Sequence, residues 1–299
     1  MHPEPYGNGQ NRGPARGDDV ARPTKEQLEV LSPMERIAFD VADVSLRRFT
    51  PLAVAYNLVV MGGLIWSCGG RRLKVHGLEN LKGLDKESSI LLVANHRSFF
   101  DFFVISSVVY YRTQLSKKIL FPTRSTFFYD NPIGPAVNLA MSGMRMFPPV
   151  MRDKKKLPFN NYTVDRCVAE LARPGTVLGM HPEGTRNKGP DPYAFLPAHP
   201  GVGRIALAVP HCHIVPVFVL GMGNNLAKEF VDNWSRPQET RIDLLFGPEV
   251  DISDLRKQTN RAATQKRVAD RSLAAIKKLA DQHRELVGHP RSEATADAP

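Results

Sequence analysis

Asn95-His96-Arg97-Ser98-Phe99-Phe100-Asp101 is the stretch on which the reading of the whole chain turns. Ile90-Leu91-Leu92-Val93-Ala94 leads into it, short, apolar and β-prone, which reads as a parallel strand buried on both faces. The apolar run from Phe102 to Tyr111 leads out of it and reads as a packed helix. His96 therefore falls at the C-terminal end of a strand, where open α/β sheets hold their ligands. His96 and Asp101 do not share one face of a regular helix of about 3.6 residues per turn. They meet if His96 lies in the turn and Asp101 in the first turn of the helix. An imidazole held by a carboxylate is the pair that activates a hydroxyl. A structural reading stands beside this one. Ser98-x-x-Asp101 matches a capping box, in which Asp101 only satisfies amides at the start of the helix.

Working outward, further strands are expected at residues 73–76, 118–121, 144–147, 176–180, 214–220 and 241–246. Helices are expected at 132–141, 160–172 and 201–209, and a charged, Ala-rich surface helix at 260–286. This alternation implies an α/β fold, a mostly parallel central sheet flanked by helices. Before it, Ile37, Val41, Val44 and Leu46 recur at helical spacing in an amphipathic segment entered through Ser32-Pro33. The longest uncharged stretch follows, from Thr50 to Gly70, closed by Arg71-Arg72 and Lys74. It approaches the roughly 20 residues of a bilayer span, but Asn57, Gly62-Gly63, Ser67 and Gly69-Gly70 dilute it. An interfacial hairpin with the preceding helix and a buried core helix are both open readings. The flanking cations favour contact with an anionic cytoplasmic leaflet. The expected organisation is a disordered tail (1–27), a membrane-associating helical segment (28–72), an α/β domain (73–288) and a second disordered tail (289–299).

With 299 residues the chain can bury a sizeable core, and a formal net charge of +10 points to an anionic partner. Lipid headgroups, nucleic acid and a phosphorylated substrate all qualify on charge, but no basic patch interleaved with aromatics supports nucleic acid. The three cysteines lack metal-site spacing, and their odd number argues against a disulfide framework. The first residues carry no secretory-signal pattern. His211-Cys212-His213 has no further evident ligands for a metal. Gly221-Met222-Gly223 lacks the next glycine of a dinucleotide site, and neither a Gly-x-Ser-x-Gly elbow nor a phosphate-binding P-loop is present.

A second chemical motif, His181-Pro182-Glu183-Gly184-Thr185-Arg186, follows another expected strand. Turns at the C-terminal ends of parallel strands open on one edge of the sheet, so these residues can converge with His96 and Asp101. Arg186 offers a planar fork suited to phosphate oxygens. Glu183 could orient Arg186 or bond a substrate hydroxyl, and Gly184 lets the backbone approach a ligand closely. A plain polar turn is the competing reading.

Asn95-His96-x4-Asp101 followed by Pro182-Glu183-Gly184-Thr185-Arg186 resembles the glycerolipid acyltransferase family, whose best-known members are the 1-acyl-glycerol-3-phosphate acyltransferases. His199-Pro200-Gly201-Val202-Gly203-Arg204 and Ile214-Val215-Pro216-Val217 resemble two further blocks of that family, in the same order. The resemblance implies that His96 is the general base, oriented by Asp101, and that a free hydroxyl attacks the thioester of acyl-CoA or acyl-carrier protein. It places Glu183, Gly184, Thr185 and Arg186 at the acceptor's glycerol phosphate. The tetrahedral intermediate needs an oxyanion donor, for which a backbone amide in the Gly184-Thr185 turn is one candidate. It implies a phosphatidate product and no cofactor beyond the thioester co-substrate. From the residues themselves no metal is expected, and the cysteine usage with the cation-flanked apolar stretch points to the cytoplasmic face of a membrane, as a peripheral or monotopic protein. Another lysolipid or an amino-lipid is the alternative acceptor, and a non-catalytic lipid-binding protein of the same fold is the alternative class. The chain departs from the family pattern in three places, one of them a longer spacing from Phe195 to Gly201. Arg145 and Arg152 both compete for the phosphate-gripping arginine of the second block, with Arg152 the preferred one. His181 stands where the family commonly carries Phe.

Overall fold

The computed structural model describes residues 22–126 and 128–288. Of the expected N-terminal tail, residues 22–27 are ordered into structure instead. Thr24 and Gln27 form a reciprocal capping box, and this starts a short helix, α1 (Lys25–Glu29). Residues 1–21, and the tail expected at 289–299, lie outside the described residues.

Ser32 and Glu35 cap α2 (Pro33–Arg48) in the same way, with Pro33 in the first turn, where its missing N–H costs no hydrogen bond. After Phe49 the chain continues as α3 (Thr50–Tyr56), a π-helical turn (Asn57–Met61) and α4 (Gly62–Gly69), a single helical run from Thr50 to Gly69. By length and composition this run could cross a membrane, but one of its faces packs on the protein. The α/β domain then supplies β1 (Leu73–His76), β2 (Ile90–Ala94), α5 (Asp101–Arg112), β3 (Ile119–Leu120), β4 (Thr123–Arg124), α6 (Gly134–Ser142) and β5 (Pro149–Val150). It is completed by α7 (Leu157–Leu171), β6 (Val177–Met180), α8 (Gly201–Ala208), β7 (His213–Leu220), α9 (Leu226–Ser235), β8 (Ile242–Phe246), α10 (Ser253–Arg256) and α11 (Ala262–Leu286).

Six strands form one sheet in the order β1-β8-β7-β2-β6-β3. β2 pairs in parallel with both β6 and β7, β3 runs parallel to β6, and only the β7–β8 pair is antiparallel. Every residue of β2 and of β8 is buried, which requires cover on both faces and explains why β2 reads as a continuous apolar run rather than an alternating one.

The strand expected at 144–147 does not form. Gly143 and Met144 both take left-handed φ, 56° and 67°, and turn the chain, and Pro148 and Pro149 then bring no amide hydrogen to a ladder. The segment pairs only at Pro149–Val150, with Thr123–Arg124, as a separate two-stranded ribbon. The two N-terminal helices also part company at Phe49. α2 packs on α7: Phe39 meets Phe159 edge-on at 5.3 Å, and Asp43 takes a 2.5 Å bond from the buried Arg166. The Thr50–Gly69 run packs instead on α5 and α9. It is held there by Asn57, which donates to the Ser142 carbonyl at 2.8 Å, and by the buried Arg72–Glu229 pair at 2.5 Å just beyond its end.

Candidate active site

Three loops leave the same edge of the sheet, after β2, β6 and β7, and they build one site. Asn95 anchors the first to the third: its side chain donates to the Val219 carbonyl and accepts the Val219 amide, both at 2.8 Å. With Asn95 pinned to β7, the backbone delivers His96 to the top of the sheet. The His96 ring is only 20% exposed, and its Nδ1 lies 3.1 Å from Asp101 Oδ2. The same carboxylate oxygen accepts the Arg97 and Ser98 amides at 2.7 and 2.9 Å. The purely structural reading of Asp101 is therefore incomplete. The helix α5 begins after Phe100 without a side-chain cap, and one Asp101 oxygen both satisfies the amides of the preceding turn and contacts the histidine. A carboxylate only accepts hydrogen bonds, so Nδ1 carries the proton and Nε2 is left as the proton acceptor.

Burial, reinforced by Arg186 and Arg124, pushes His96 down to about 3, so the imidazole is neutral at physiological pH. Burial lifts Asp101 to about 6, against the opposing pull of His181 and the two amides.

His181 leaves β6 and lies flat against the base. The rings of His96 and His181 are parallel within 6°, with centroids 3.7 Å apart. His181 Nδ1 donates to the Ala94 carbonyl at 3.0 Å, and Phe102 backs the ring at 4.4 Å. The stack leaves His96 one plane to occupy. It also bears on metal binding, because His96, Asp101 and His181 cluster closely enough to invite the question. Imidazole lone pairs lie in the ring plane, so two parallel stacked rings do not converge on one ion. His96 Nδ1 is in addition taken by Asp101. The role of the stack is testable. His181→Ala is expected to lower kcat roughly 10- to 100-fold with little change in KM, and His181→Phe, which restores a flat ring, to recover most of it. Full activity in His181→Ala would remove the ring from the account.

Glu183 sits differently from the sequence expectation. It is buried, its Oε1 accepts the His96 amide at 3.1 Å, and its Oε2 accepts the Leu196 amide at 2.7 Å. These backbone bonds tie the β2 and β6 turns together and leave the guanidinium of Arg186 to another partner, the side-chain oxygen of Asn224 at 3.3 Å. Gly184 has φ of 62°, and a Cβ there would lie 2.8 Å from the His199 ring, so the position suits glycine on both counts. The Gly184 amide donates to the His181 carbonyl at 3.0 Å, which withdraws it as an oxyanion donor and leaves the amide of half-buried Thr185 from that turn.

Of the two competing arginines, Arg145 is buried, 3% exposed, and donates to the Thr50 carbonyl at 3.1 Å. It fastens the Thr50–Gly69 helix to the domain. Arg152 is exposed and lies close to Arg124, a residue that sequence reasoning missed. Arg124 belongs to the two-residue β4 and donates to the Gly184 carbonyl at 2.9 Å. Burial, together with the guanidinium groups of Arg152 and Arg186, holds it below the usual arginine range. Arg124 and Arg186 thus lie beside His96, and Arg152 adds its charge next to Arg124. Arg124 and Arg186 hydrogen-bond neutral oxygens, the Gly184 carbonyl and the Asn224 side chain, although the Arg186 charge also acts on Asp101.

Asn224, also overlooked, closes the site from the β7 side. Its Oδ1 accepts the Phe99 amide at 2.8 Å, and the Gly223 carbonyl accepts Ser98 Oγ at 3.1 Å. The residues of the His211-Cys212-His213 triplet lie at the opposite end of β7, where His213 pairs with Glu249 at 2.9 Å.

The arrangement can do three things: accept a proton at His96 Nε2, bind a multiply charged anion on three guanidinium groups, and present a backbone amide to a developing negative charge. The family described as Acyltransferase matches residues 72–220. No curated protein matches the chain. Among solved structures, the 1-acyl-sn-glycerophosphate acyltransferase PlsC from Thermotoga maritima is similar at 16% identity and a TM-score of 0.43, covering 85% of this chain and 97% of that one.

Proposed function

We propose that the chain, whose residues 72–220 match the family described as Acyltransferase, moves a fatty acyl group from a thioester to the free hydroxyl of 1-acyl-glycerol-3-phosphate, giving phosphatidate. The observation that carries the acceptor assignment is the pair Arg124 and Arg186 beside the base, with Arg152 next to Arg124, since a phosphate monoester is a dianion that guanidinium forks match. The donor is acyl-CoA or acyl-carrier protein.

In this mechanism the acceptor hydroxyl gives its proton to His96 Nε2 as its oxygen attacks the thioester carbonyl. The imidazolium that forms is stabilised by Asp101 through Nδ1. The tetrahedral oxyanion is met by the Thr185 amide. Collapse breaks the carbon–sulfur bond, and the leaving thiolate takes back the proton from His96, so no acyl-enzyme forms. The arginines have a second consequence. Arg186 and Arg124 help to hold the His96 pKa down, so a bound phosphate dianion that neutralises them makes His96 a stronger base when the acceptor is in place. Arg152, Gly184 and Thr185 complete the glycerol-phosphate site, and Glu183 shapes it by bracing the two turns.

A lipid acceptor implies a membrane. Ile37, Val41 and Val44 of α2, Phe49, and Leu52 and Val59 of the following helix are all exposed. We assign them to the cytoplasmic leaflet as a monotopic contact. The acceptor assignment is tested with Arg124→Ala. Loss of a charge-assisted hydrogen bond of about 1.5–3 kcal/mol raises the KM for lysophosphatidate roughly 10- to 100-fold while leaving that for the thioester unchanged. An unchanged acceptor KM would contradict the phosphate reading.

A further inference from the structure

α9 is built inside out. Its polar residues Glu229, Asp232 and Asn233 are buried, while Phe230, Val231 and Trp234 are 49%, 55% and 45% exposed. A helix facing water does the reverse. The buried side chains are well satisfied. Glu229 pairs with Arg72, Asp232 accepts from Lys228 and from Arg236, and Asn233 donates to the Ser67 carbonyl at 2.8 Å and accepts the Arg71 amide at 3.0 Å. α9 is therefore fixed to α4 by polar contacts, and its apolar residues are turned outward.

They meet another apolar surface there. Trp66 of α4, 58% exposed, stands edge-on to Trp234 at 5.7 Å, and Phe230 lies 6.2 Å from the same ring. The Trp234 indole N–H donates to the Ser67 carbonyl at 3.1 Å, so the ring's polar edge is turned inward and satisfied. The chain contains two tryptophans, and both are in this patch. Leu52 and Val59 extend it along the Thr50–Gly69 helix. Cations rim it. The Arg71 guanidinium lies 5.3 Å from the Trp234 ring centroid, and Lys228 and Arg236 have exposed side chains.

We propose that the outer faces of α4 and α9, centred on Trp66 and Trp234, form a membrane-interface docking surface that seats the active-site mouth on the lipid. The proposal rests on the reading that the acceptor is a membrane lipid, and it adds α9 to the N-terminal segment as a contact. Tryptophan is at home at the boundary of headgroups and acyl chains, and the cationic rim suits anionic headgroups. A second copy of the chain fits less well, since a two-fold contact on this patch would bring the two cationic rims together. The position is also informative. α9 begins two residues after Asn224, which bonds Arg186 and the Phe99 amide, and it is only about 15 Å long. Lipid at α9 is therefore lipid close to Arg186.

The two tryptophans make the test direct on the full chain. Vesicles containing phosphatidylglycerol and phospholipids brominated on their acyl chains should quench the intrinsic tryptophan emission at least twofold. Unbrominated vesicles should only shift it to the blue. The double variant Phe230→Glu/Val231→Glu, checked for fold by circular dichroism, should bind these vesicles at least tenfold more weakly yet keep its acyl-transfer rate in detergent micelles. Vesicle binding by the unaltered chain without bromine quenching would overturn the proposal, as would burial of the patch in a dimer that persists when vesicles are added. Quenching needs no turnover, so its failure is distinct from a failure of the proposed reaction.

Discussion

His96→Ala is expected to lower acyl-transfer turnover by about a thousandfold or more, at the upper end of what a single general base contributes. Three features of the site argue for a large effect. Nδ1 is committed to Asp101, so the ring has one free nitrogen and that nitrogen is the proton acceptor. The stack on His181 holds the ring in one plane, so its alignment is set before substrate arrives. Among His96, Asp101 and His181, Asp101 has its Oδ2 occupied by three N–H groups and His181 donates to Ala94, so neither is placed to take over. The fold should survive, because the turn is held independently by Asn95 on Val219, by Glu183 on the His96 and Leu196 amides and by Asp101 on the Arg97 and Ser98 amides. Turnover measured beside a thermal melt checks both halves. A variant with a native melt and near-native turnover would remove His96 as the base.

Glu229→Ala should destabilise the protein by about 3–5 kcal/mol, the usual cost of leaving a buried charge without its partner. Arg72 is 2% exposed and Glu229 4%, and the guanidinium keeps only neutral partners once the carboxylate is gone: the carbonyls of Thr240 at 2.5 Å, Cys68 at 3.2 Å, and residue 229 and Gly221 at 3.4 Å. The pair joins α9 to the residues that connect α4 with β1, so its loss loosens the element that carries Trp234 and the loop that carries Asn224. Urea unfolding followed by circular dichroism reads this directly. A loss below about 1 kcal/mol would mean that water reaches Arg72 in the native state and that the pair behaves like a surface salt bridge.

The parallel sheet was legible because its central strands are buried on both faces and must be written as unbroken apolar runs, as in Ile90 to Ala94. The converging turns were legible for a related reason. In a parallel sheet the C-terminal ends of β2 and β6 share one edge, so His96 and Arg186 fall together once both strands are recognised. What escaped the sequence was set by tertiary contacts. Arg124 lies in a two-residue strand whose only pairing is with Pro149–Val150, and nothing local marks it out. Residues 144–147 look β-prone, yet the left-handed Gly143 and Met144 turn them out of the ladder. Glu183 seemed suited to Arg186, but its neighbours in space are two backbone amides. α9 went unread because its pattern is inverted, and a helix with buried Glu, Asp and Asn does not present the expected apolar face to the core.

The most direct test of the account is thiol release from acyl-CoA by the purified protein in detergent micelles, with and without lysophosphatidate, for the unaltered chain and for His96→Ala. The expected result is release that requires both the acceptor and His96, with phosphatidate formed in equal amount. Release that proceeds without acceptor, or that persists at an undiminished rate in His96→Ala, would contradict it.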